Sequence, residues 1–201
     1  MIVIGLTGGI AAGKSTISQL LAERGAAILD ADKVGHEVYK PGTEGFRRVA
    51  GAFGDRVVGT DGEIDRKALG AIVFAEPAQR ERLQSIVWPV MKEIMRDRLD
   101  ALRSAGVDVA VLEAAVLLEA GWQDLVDHVW VVTVPEAMAE ARLMTRNGLS
   151  SEQAKARIAA QLTNDERTKH ASVVIDNSGT VEQAAHRVAA LWDQVMAAGA
   201  R

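Results

Sequence analysis

The chain has 201 residues, of which 48% are hydrophobic and 25% are charged, and this balance is typical of one globular domain or one core with inserted subdomains. Its 23 Lys and Arg against 27 Asp and Glu give a net charge of −4, which disfavours nucleic acids and membrane surfaces as partners. Cysteine is absent, which excludes disulfides, thiolate metal sites and a cysteine nucleophile. No apolar run is long enough to predict a membrane span, and the first residues do not resemble a signal peptide. We therefore expect a cytoplasmic location.

Short apolar, largely β-branched runs predict five strands of a parallel sheet, because strands covered by helices on both faces read as continuous hydrophobic segments. Amphipathic patterns between them predict helices, one of which, over 77–104, is a single long helix or two. The predicted strands are 2–5, 26–29, 107–112, 129–134 and 173–175, and the predicted helices outside the long one are 14–23, 135–146, 150–161 and 180–198.

Strands alternating with helices indicate an α/β fold in which helices flank a parallel sheet. The connection between the second and third strands holds about 75 residues, far more than one crossover helix needs. We therefore predict a single domain over 1–201 with a helical insert and a second insertion, the lid, which is rich in basic residues. The predicted core comprises about 1–35, 105–139 and 171–201, the insert about 36–104 and the lid about 140–170. The basic residues of the lid are Arg142, Arg146, Lys155, Arg157, Arg167 and Lys169.

The first helix follows a phosphate-binding motif. The segment from Gly8 to Thr16, GGIAAGKST, fits the P-loop pattern G-x-x-x-x-G-K-[ST] between a predicted strand and a predicted helix. Such a loop directs backbone N–H groups at phosphates, and the N-terminus of the helix adds partial positive charge. We expect Lys14 to reach the outer phosphates and the hydroxyl of Ser15 to bind Mg²⁺. The motif makes the predicted fold class a P-loop NTPase-type α/β sheet.

A P-loop indicates a nucleotide and leaves the reaction open. A GTPase reads guanine with Asn-Lys-x-Asp, and the sequence contains no Asn-Lys pair. A motor ATPase or switch protein is usually larger. A small-molecule kinase fits best, since a compact core, an insert for the acceptor and a basic lid are what phosphoryl transfer away from water requires.

Acidic residues follow two of the predicted strands. Asp30 and Asp32 come after the second strand, at the sheet edge where such folds bind ligands. If the segment is extended, both carboxylates point the same way, and one could orient or deprotonate a hydroxyl while the other holds a metal-bound water. The alternative is that Asp32 caps a helix. Glu113 ends the third strand and is either a further acid near the metal or a solvated strand end.

Taken together, these residues resemble the dephospho-CoA kinase family over nearly the whole chain. The resemblance adds several runs to the P-loop and the aspartates: residues 5–10, 61–70, 72–74, 117–119 and 174–177, with Arg157 and Gln161. It implies a three-part kinase that uses ATP and Mg²⁺ to phosphorylate the ribose 3′-hydroxyl of dephospho-CoA.

The resemblance also implies roles for individual residues. Gly9 and the run from Ala11 to Thr16 (Ala11, Ala12, Gly13, Lys14, Ser15 and Thr16) would line the ATP phosphates. Asp32 would contact the 3′-hydroxyl as the base, and Lys14 and Arg142 would act on the transferred phosphate. Arg142 and Arg146, four residues apart and so on one helix face, would lie on the ATP side of the lid. Asn177 would lie near adenine.

Two features depart from the family pattern. Ala11 and Ala12 stand where the family usually has Gly-Ser, which the loop accommodates if φ stays negative at both positions. Trp88 stands where many members have His, and with the run 114–122 it looks closer to the kinase domain of the bifunctional CoA synthases. Another small-molecule kinase and a non-catalytic nucleotide-binding module remain as alternatives, although the presence of Lys14, Ser15 and Asp32 disfavours the latter.

Overall fold

The computed structural model describes residues 1–199. It divides into two compact units, of which the first joins residues 1–29 to the chain from Ala101 onward and the second is the continuous segment from Asp30 to Asp100. The sequence-based insert at 36–104 falls largely on the second unit. The final two residues of the predicted core, 200 and 201, lie outside the described residues.

A five-stranded sheet forms the centre of the first unit, in the order β2-β3-β1-β4-β5. β1 runs parallel to both β3 and β4, and β4 runs parallel to β5. All five predicted strands are confirmed within two or three residues at each end. Their bounds are β1 Ile2–Gly8, β2 Ala27–Asp30, β3 Val109–Glu113, β4 His128–Thr133 and β5 Val173–Asp176.

Nine α-helices lie along the described chain, and the helices predicted from the sequence are among them. The long segment before β3 is one helix, although Pro89 lies inside it. The helix bounds are α1 Lys14–Ala22, α2 Ala31–Val38, α3 Glu44–Phe53, α4 Arg66–Ala75, α5 Pro77–Ser104, α6 Glu136–Asn147, α7 Ser151–Ala159, α8 Asn164–Thr168 and α9 Val181–Gly199.

Apolar side chains on both faces of the sheet form the core of the first unit. Leu6 and Val111 on the strands are fully buried, as is Ile17 on α1, and Trp130 is 1% exposed. The same cluster includes Val188 on α9. Burying such side chains stabilises each by roughly 1.5–3 kcal/mol, so the strand ends that carry polar groups project from a rigid base.

Helices α2 to α4 and most of α5 make up the second unit. Thr43 and Asp65 cap α3 and α4 by accepting hydrogen bonds from backbone N–H groups of the first turn. The predicted turn at Asp61 and Gly62 is confirmed, and an isolated antiparallel bridge joins the chain on either side of it. Trp88 is half-buried on α5. Among the described residues, no helix has the length and apolar character to cross a membrane.

Candidate active site

The P-loop lies between β1 and α1, as its sequence pattern predicts. Two glycines are required by the geometry. A Cβ on Gly8 would lie 2.3 Å from the carbonyl oxygen of Val132 on the neighbouring strand, and a Cβ on Gly13, where φ is +88°, would lie 2.2 Å from the Asn177 amide nitrogen. The loop can therefore pass close to β4 and β5 only with glycine at these positions.

Side chains hold the carbonyl groups of this loop. Lys14 Nζ donates to Gly8 O at 2.9 Å and lies 3.4 Å from Gly9 O. Arg142 Nη1 donates to Ala11 O at 3.4 Å, and buried Asn177 donates to Ala12 O at 2.9 Å. Because these carbonyls are engaged, the opposite sides of the peptide groups, which carry the N–H donors, are free to face a ligand.

Ala11 corrects one expectation from the sequence. Its φ is +59°, and it is the one non-glycine residue with positive φ among residues 1–199. An L-residue in this left-handed region costs roughly 1–2 kcal/mol because Cβ crowds the backbone. Negative φ was expected at both alanines; this is true of Ala12 and not of Ala11. The hydrogen bonds of Arg142 to Ala11 O and of Asn177 to Ala12 O hold this strained turn in place.

Several N–H donors of the P-loop have no acceptor within the described chain, namely those of Ala11, Gly13 and Ser15. The first turn of α1 also leaves N–H groups without helical partners. Clustered backbone donors at a helix N-terminus suit the oxygens of a phosphate. The local geometry therefore fits the predicted nucleotide.

Two oxygen-bearing side chains meet at the start of α1. Ser15 Oγ lies 3.3 Å from a carboxylate oxygen of Glu113 at the end of β3. Hydroxyl and carboxylate oxygens are ligands that Mg²⁺ accepts, and Mg²⁺ usually takes its remaining ligands from water and nucleotide phosphates. Residues 1–199 hold no cluster of three or more His, Asp or Glu arranged as a metal site.

The two aspartates at the end of β2 and the start of α2 occupy different environments, which corrects the expectation that they share one extended face. Asp30 is the N-cap of α2, and its Oδ1 accepts from the N–H groups of Asp32 at 2.9 Å and Lys33 at 3.3 Å. Asp32 lies in the first turn of the helix with its side chain exposed. The alternative in which Asp32 caps the helix is therefore wrong, since Asp30 does so.

Arg142 and Arg146 lie on one face of α6, as their spacing predicts. Both line a cavity of about 270 Å³ together with P-loop residues and the chain after β5. Arg142 Nη2 also donates to Asn177 O at 3.1 Å. The other residues of this cavity are Ala11, Gly13, Thr16, Asn177, Gly179 and Val181.

Two basic residues of the predicted lid are paired with acids. Lys155 on α7 lies 3.9 Å from Glu140 on α6. Arg167 on α8 is fully buried, and its Nη2 lies 2.8 Å from Glu119. Of the six basic residues counted in the predicted lid, Arg167 is therefore buried and paired, and its charge is not exposed to solvent.

Hydrogen bonds lower the pKa of two carboxyls beside these elements. The hydroxyl and the backbone N–H of Ser178 hold the pKa of Asp176, at the end of β5, below its usual range. The backbone N–H and hydroxyl of Thr163 do the same for Glu166 in the first turn of α8. Both carboxylates are therefore ionised near neutral pH and fix the turns in which they lie.

A family model described as dephospho-CoA kinase matches residues 2–183. The chain is 47% identical over 192 residues to the dephospho-CoA kinase of Geobacter sulfurreducens, covering 96% of this chain and 98% of the relative. The chain belongs to the dephospho-CoA kinase family. The family assignment made from the sequence and the enzyme class it implies, a phosphotransferase of coenzyme A synthesis, are thereby confirmed.

Solved structures agree with the fold. The dephospho-CoA kinase of Campylobacter jejuni superposes with a TM-score of 0.72 at 25% identity, covering 96% of each chain. A shikimate kinase of Bacteroides thetaiotaomicron superposes with a TM-score of 0.52 at 14% identity, over 96% of this chain and 98% of the other. The second likeness concerns the fold alone, and together they confirm the predicted P-loop α/β class.

The sequence did not predict the contact that Gln161 makes with the P-loop. Gln161, between α7 and α8, accepts a hydrogen bond from the backbone N–H of Ile10 in the P-loop at 2.8 Å. It also lines a cavity of about 550 Å³ that includes Gly9 and Ile10. The family resemblance had singled out Gln161 without a role, and no local pattern links two residues 151 positions apart.

Proposed function

We propose that this protein transfers the terminal phosphoryl group of ATP to the ribose 3′-hydroxyl of dephospho-CoA, giving coenzyme A and ADP. The observation that carries the proposal is a fully formed P-loop in a chain that matches the dephospho-CoA kinase family from residue 2 to residue 183. The cytoplasmic location stays a prediction.

The P-loop supplies the phosphate contacts. The N–H groups of Ala11, Gly13 and Ser15 donate to phosphate oxygens, and Lys14 places a positive charge beside the outer phosphates. Phosphoryl transfer spreads negative charge over the transferred group, so fixed donors and charges lower the barrier more than they strengthen ground-state binding. Gly9, Ala12 and Thr16 shape the loop around these groups.

Arg142 and Arg146 act from α6. Their cavity contains P-loop residues and Asn177, so the nucleotide's phosphates and its adenosine fit against this face. Arg142 already contacts the P-loop through Ala11 O, which lets it approach the transferred phosphate without a large rearrangement. The lid over 140–170 and the acceptor-binding role of the insert over 36–104 are parts of the same proposal.

Asp32 is the base in this proposal. Asp30 is engaged by two backbone N–H groups and by Lys33, whose Nζ lies 3.6 Å away. The side chain of Asp32 is exposed, and among the described residues the hydrogen bond of this residue to Asp30 is made by its backbone N–H and not by its carboxylate. A ribose hydroxyl is a weak nucleophile, so a carboxylate that accepts its hydrogen bond orients the oxygen and takes the proton.

Mg²⁺ fits beside this phosphate site. Ser15 and Glu113 would hold it, Ser15 through its hydroxyl and Glu113 directly or through water. When bound, such an ion would neutralise negative charge on the ATP phosphates.

An acceptor panel tests the proposal. The purified chain is incubated with labelled ATP and Mg²⁺, and with dephospho-CoA, a nucleoside, a hexose or shikimate. We expect turnover with dephospho-CoA that exceeds every other acceptor, and a loss of roughly 10²–10³ in kcat for Lys14→Ala. The exposed Asp193 on α9, outside both the insert and the lid, provides the control, and Asp193→Ala should keep wild-type turnover. Preferred phosphorylation of another acceptor would favour a different small-molecule kinase, and ATP binding without any turnover would favour a binding module.

A further inference from the structure

Gln161 connects the segment between α7 and α8 to the P-loop. Its Oε1 accepts the N–H of Ile10 at 2.8 Å. Ile10 is part of the loop that precedes Lys14, and Gln161 is half-buried. None of the roles proposed above uses this side chain.

The hydrogen bond to Ile10 fixes which way the Gln161 amide points. A backbone N–H can only donate, so the atom facing Ile10 must be the amide oxygen. The Nε2 group, with two N–H donors, therefore points away from the Ile10 peptide. No acceptor for Nε2 lies within residues 1–199.

The contact lies at the outer-phosphate end of the loop. Lys14 Nζ, the group that meets the outer phosphates in a P-loop, lies against Gly8 O and Gly9 O. Ile10 is the next residue along the chain and lines the same cavity as Gly9 and Gln161. Arg142 and Asn177 donate instead to the carbonyl groups of Ala11 and Ala12, and both line a separate cavity.

We propose that Gln161 is a further catalytic residue, whose Nε2 donates a hydrogen bond to the terminal phosphate of ATP while its Oε1 holds the N–H of Ile10. The inference rests on the proposed function for the identity of the nucleotide. Gln161 thereby senses whether the third phosphate is present and places the returning end of the lid segment against it. ADP lacks the group that this donor would contact.

Binding of ATP and ADP to four proteins tests the proposal without any acceptor. Titration calorimetry with Mg²⁺ compares the wild type with Gln161→Glu, which keeps an acceptor for Ile10 and loses the donor, and with Gln161→Leu, which loses both. Gln194→Glu, an exposed position on α9, makes the same charge change elsewhere. Hydrogen exchange of the Ile10 amide reports the loop contact, and circular dichroism reports folding.

We expect Gln161→Leu to lose about ten-fold in ATP affinity, the usual effect of one hydrogen bond to a charged group, while its ADP affinity stays within two-fold. Gln161→Glu should lose at least as much ATP affinity, because its carboxylate also repels the terminal phosphate. The Ile10 amide should stay protected in Gln161→Glu and exchange faster in Gln161→Leu. Equal losses for ATP and ADP, or a Gln161→Glu variant that binds ATP like the wild type, would overturn the proposal and leave Gln161 as a loop contact. A wild type that binds ATP but does not phosphorylate dephospho-CoA would instead overturn the proposed function.

Discussion

Asp30 and Asp32 show how two carboxylates two residues apart take different tasks. Asp30 satisfies the N–H groups at the start of α2, a task that an asparagine performs equally well. Asp32 contributes negative charge in the exposed first turn and has no such structural partner. Substitutions by the isosteric amide at the two positions therefore separate capping from catalysis.

Asp32→Asn should lower kcat by about 10²-fold or more, because the variant keeps the size of the side chain and loses its charge and basicity. ATP affinity should stay within a few-fold. Asp30→Asn is the matched control and should keep most of the activity, since the cap is retained. The measurements are kcat with dephospho-CoA and ATP affinity by calorimetry. Near wild-type turnover by Asp32→Asn would mean that the base lies elsewhere.

The strained backbone at Ala11 predicts an effect on stability. Ala11→Gly should raise the free energy of unfolding by up to about 1 kcal/mol, since relief of the left-handed strain outweighs the added flexibility of the unfolded chain. Ala12→Gly is the control, because Ala12 is buried and its φ is negative, and it should destabilise by about 1 kcal/mol. Urea denaturation compares the two. Equal destabilisation by both substitutions would show that Ala11 carries no strain.

At the scale of elements, α8 differs from the rest of the predicted lid. Thr163 and Glu166 form a capping box at its start. Asn164 donates to Val134 O at 2.9 Å, and Arg167 pairs with Glu119 and lies 3.4 Å from Ala115 O. These contacts attach α8 to the chain that follows β3 and β4. A nucleotide-dependent change within 140–170 should therefore stop before α8.

ATP should increase amide protection across the end of α6 and along α7, where Arg146 and Arg157 offer positive charge to the phosphates. Protection in α8 should change little. Hydrogen exchange with and without ATP and Mg²⁺ measures both segments in one experiment, and α9 provides an internal reference. Unchanged protection across 147–162 would contradict the assignment of a lid.

The Arg167–Glu119 pair predicts a large loss of stability from a single change. Arg167→Met should cost about 3–5 kcal/mol of unfolding free energy, because it removes a fully buried guanidinium and leaves Glu119 without its counter-charge. Lys155→Met removes a base that is 61% exposed and should cost under about 1 kcal/mol. Urea denaturation gives both values. A similar small effect for both variants would show that the buried pair is not a structural contact.

How well each feature could be predicted from the sequence depends on how far apart along the chain its interacting residues lie. β1 and the P-loop were predicted because an apolar run and the glycine-lysine spacing are local signals. Whether Asp30 or Asp32 caps α2 depended on where β2 ends, which residue patterns give only to within a few positions. The burial of Arg167 and the contact of Gln161 depend on partners 48 and 151 residues away, and composition counts charges without showing how they pair.

At the scale of the whole molecule, the chain has the parts that a small-molecule kinase needs. The first unit contains the P-loop, the Ser15 and Glu113 oxygens and the basic face of α6, and the second contains Asp32 and a helical segment of its own. The match to dephospho-CoA kinases spans both units, since it runs from residue 2 to residue 183. The proposal that the chain phosphorylates the 3′-hydroxyl of dephospho-CoA therefore concerns both units together.

The most direct test is to identify the atom that receives the phosphate. The protein is incubated with ATP, Mg²⁺ and dephospho-CoA, and the product is examined by ³¹P NMR. The account predicts one new phosphomonoester signal coupled to the ribose H3′, formed in equal amount to ADP. ADP release without a phosphomonoester, or a phosphate on any other hydroxyl, would contradict it.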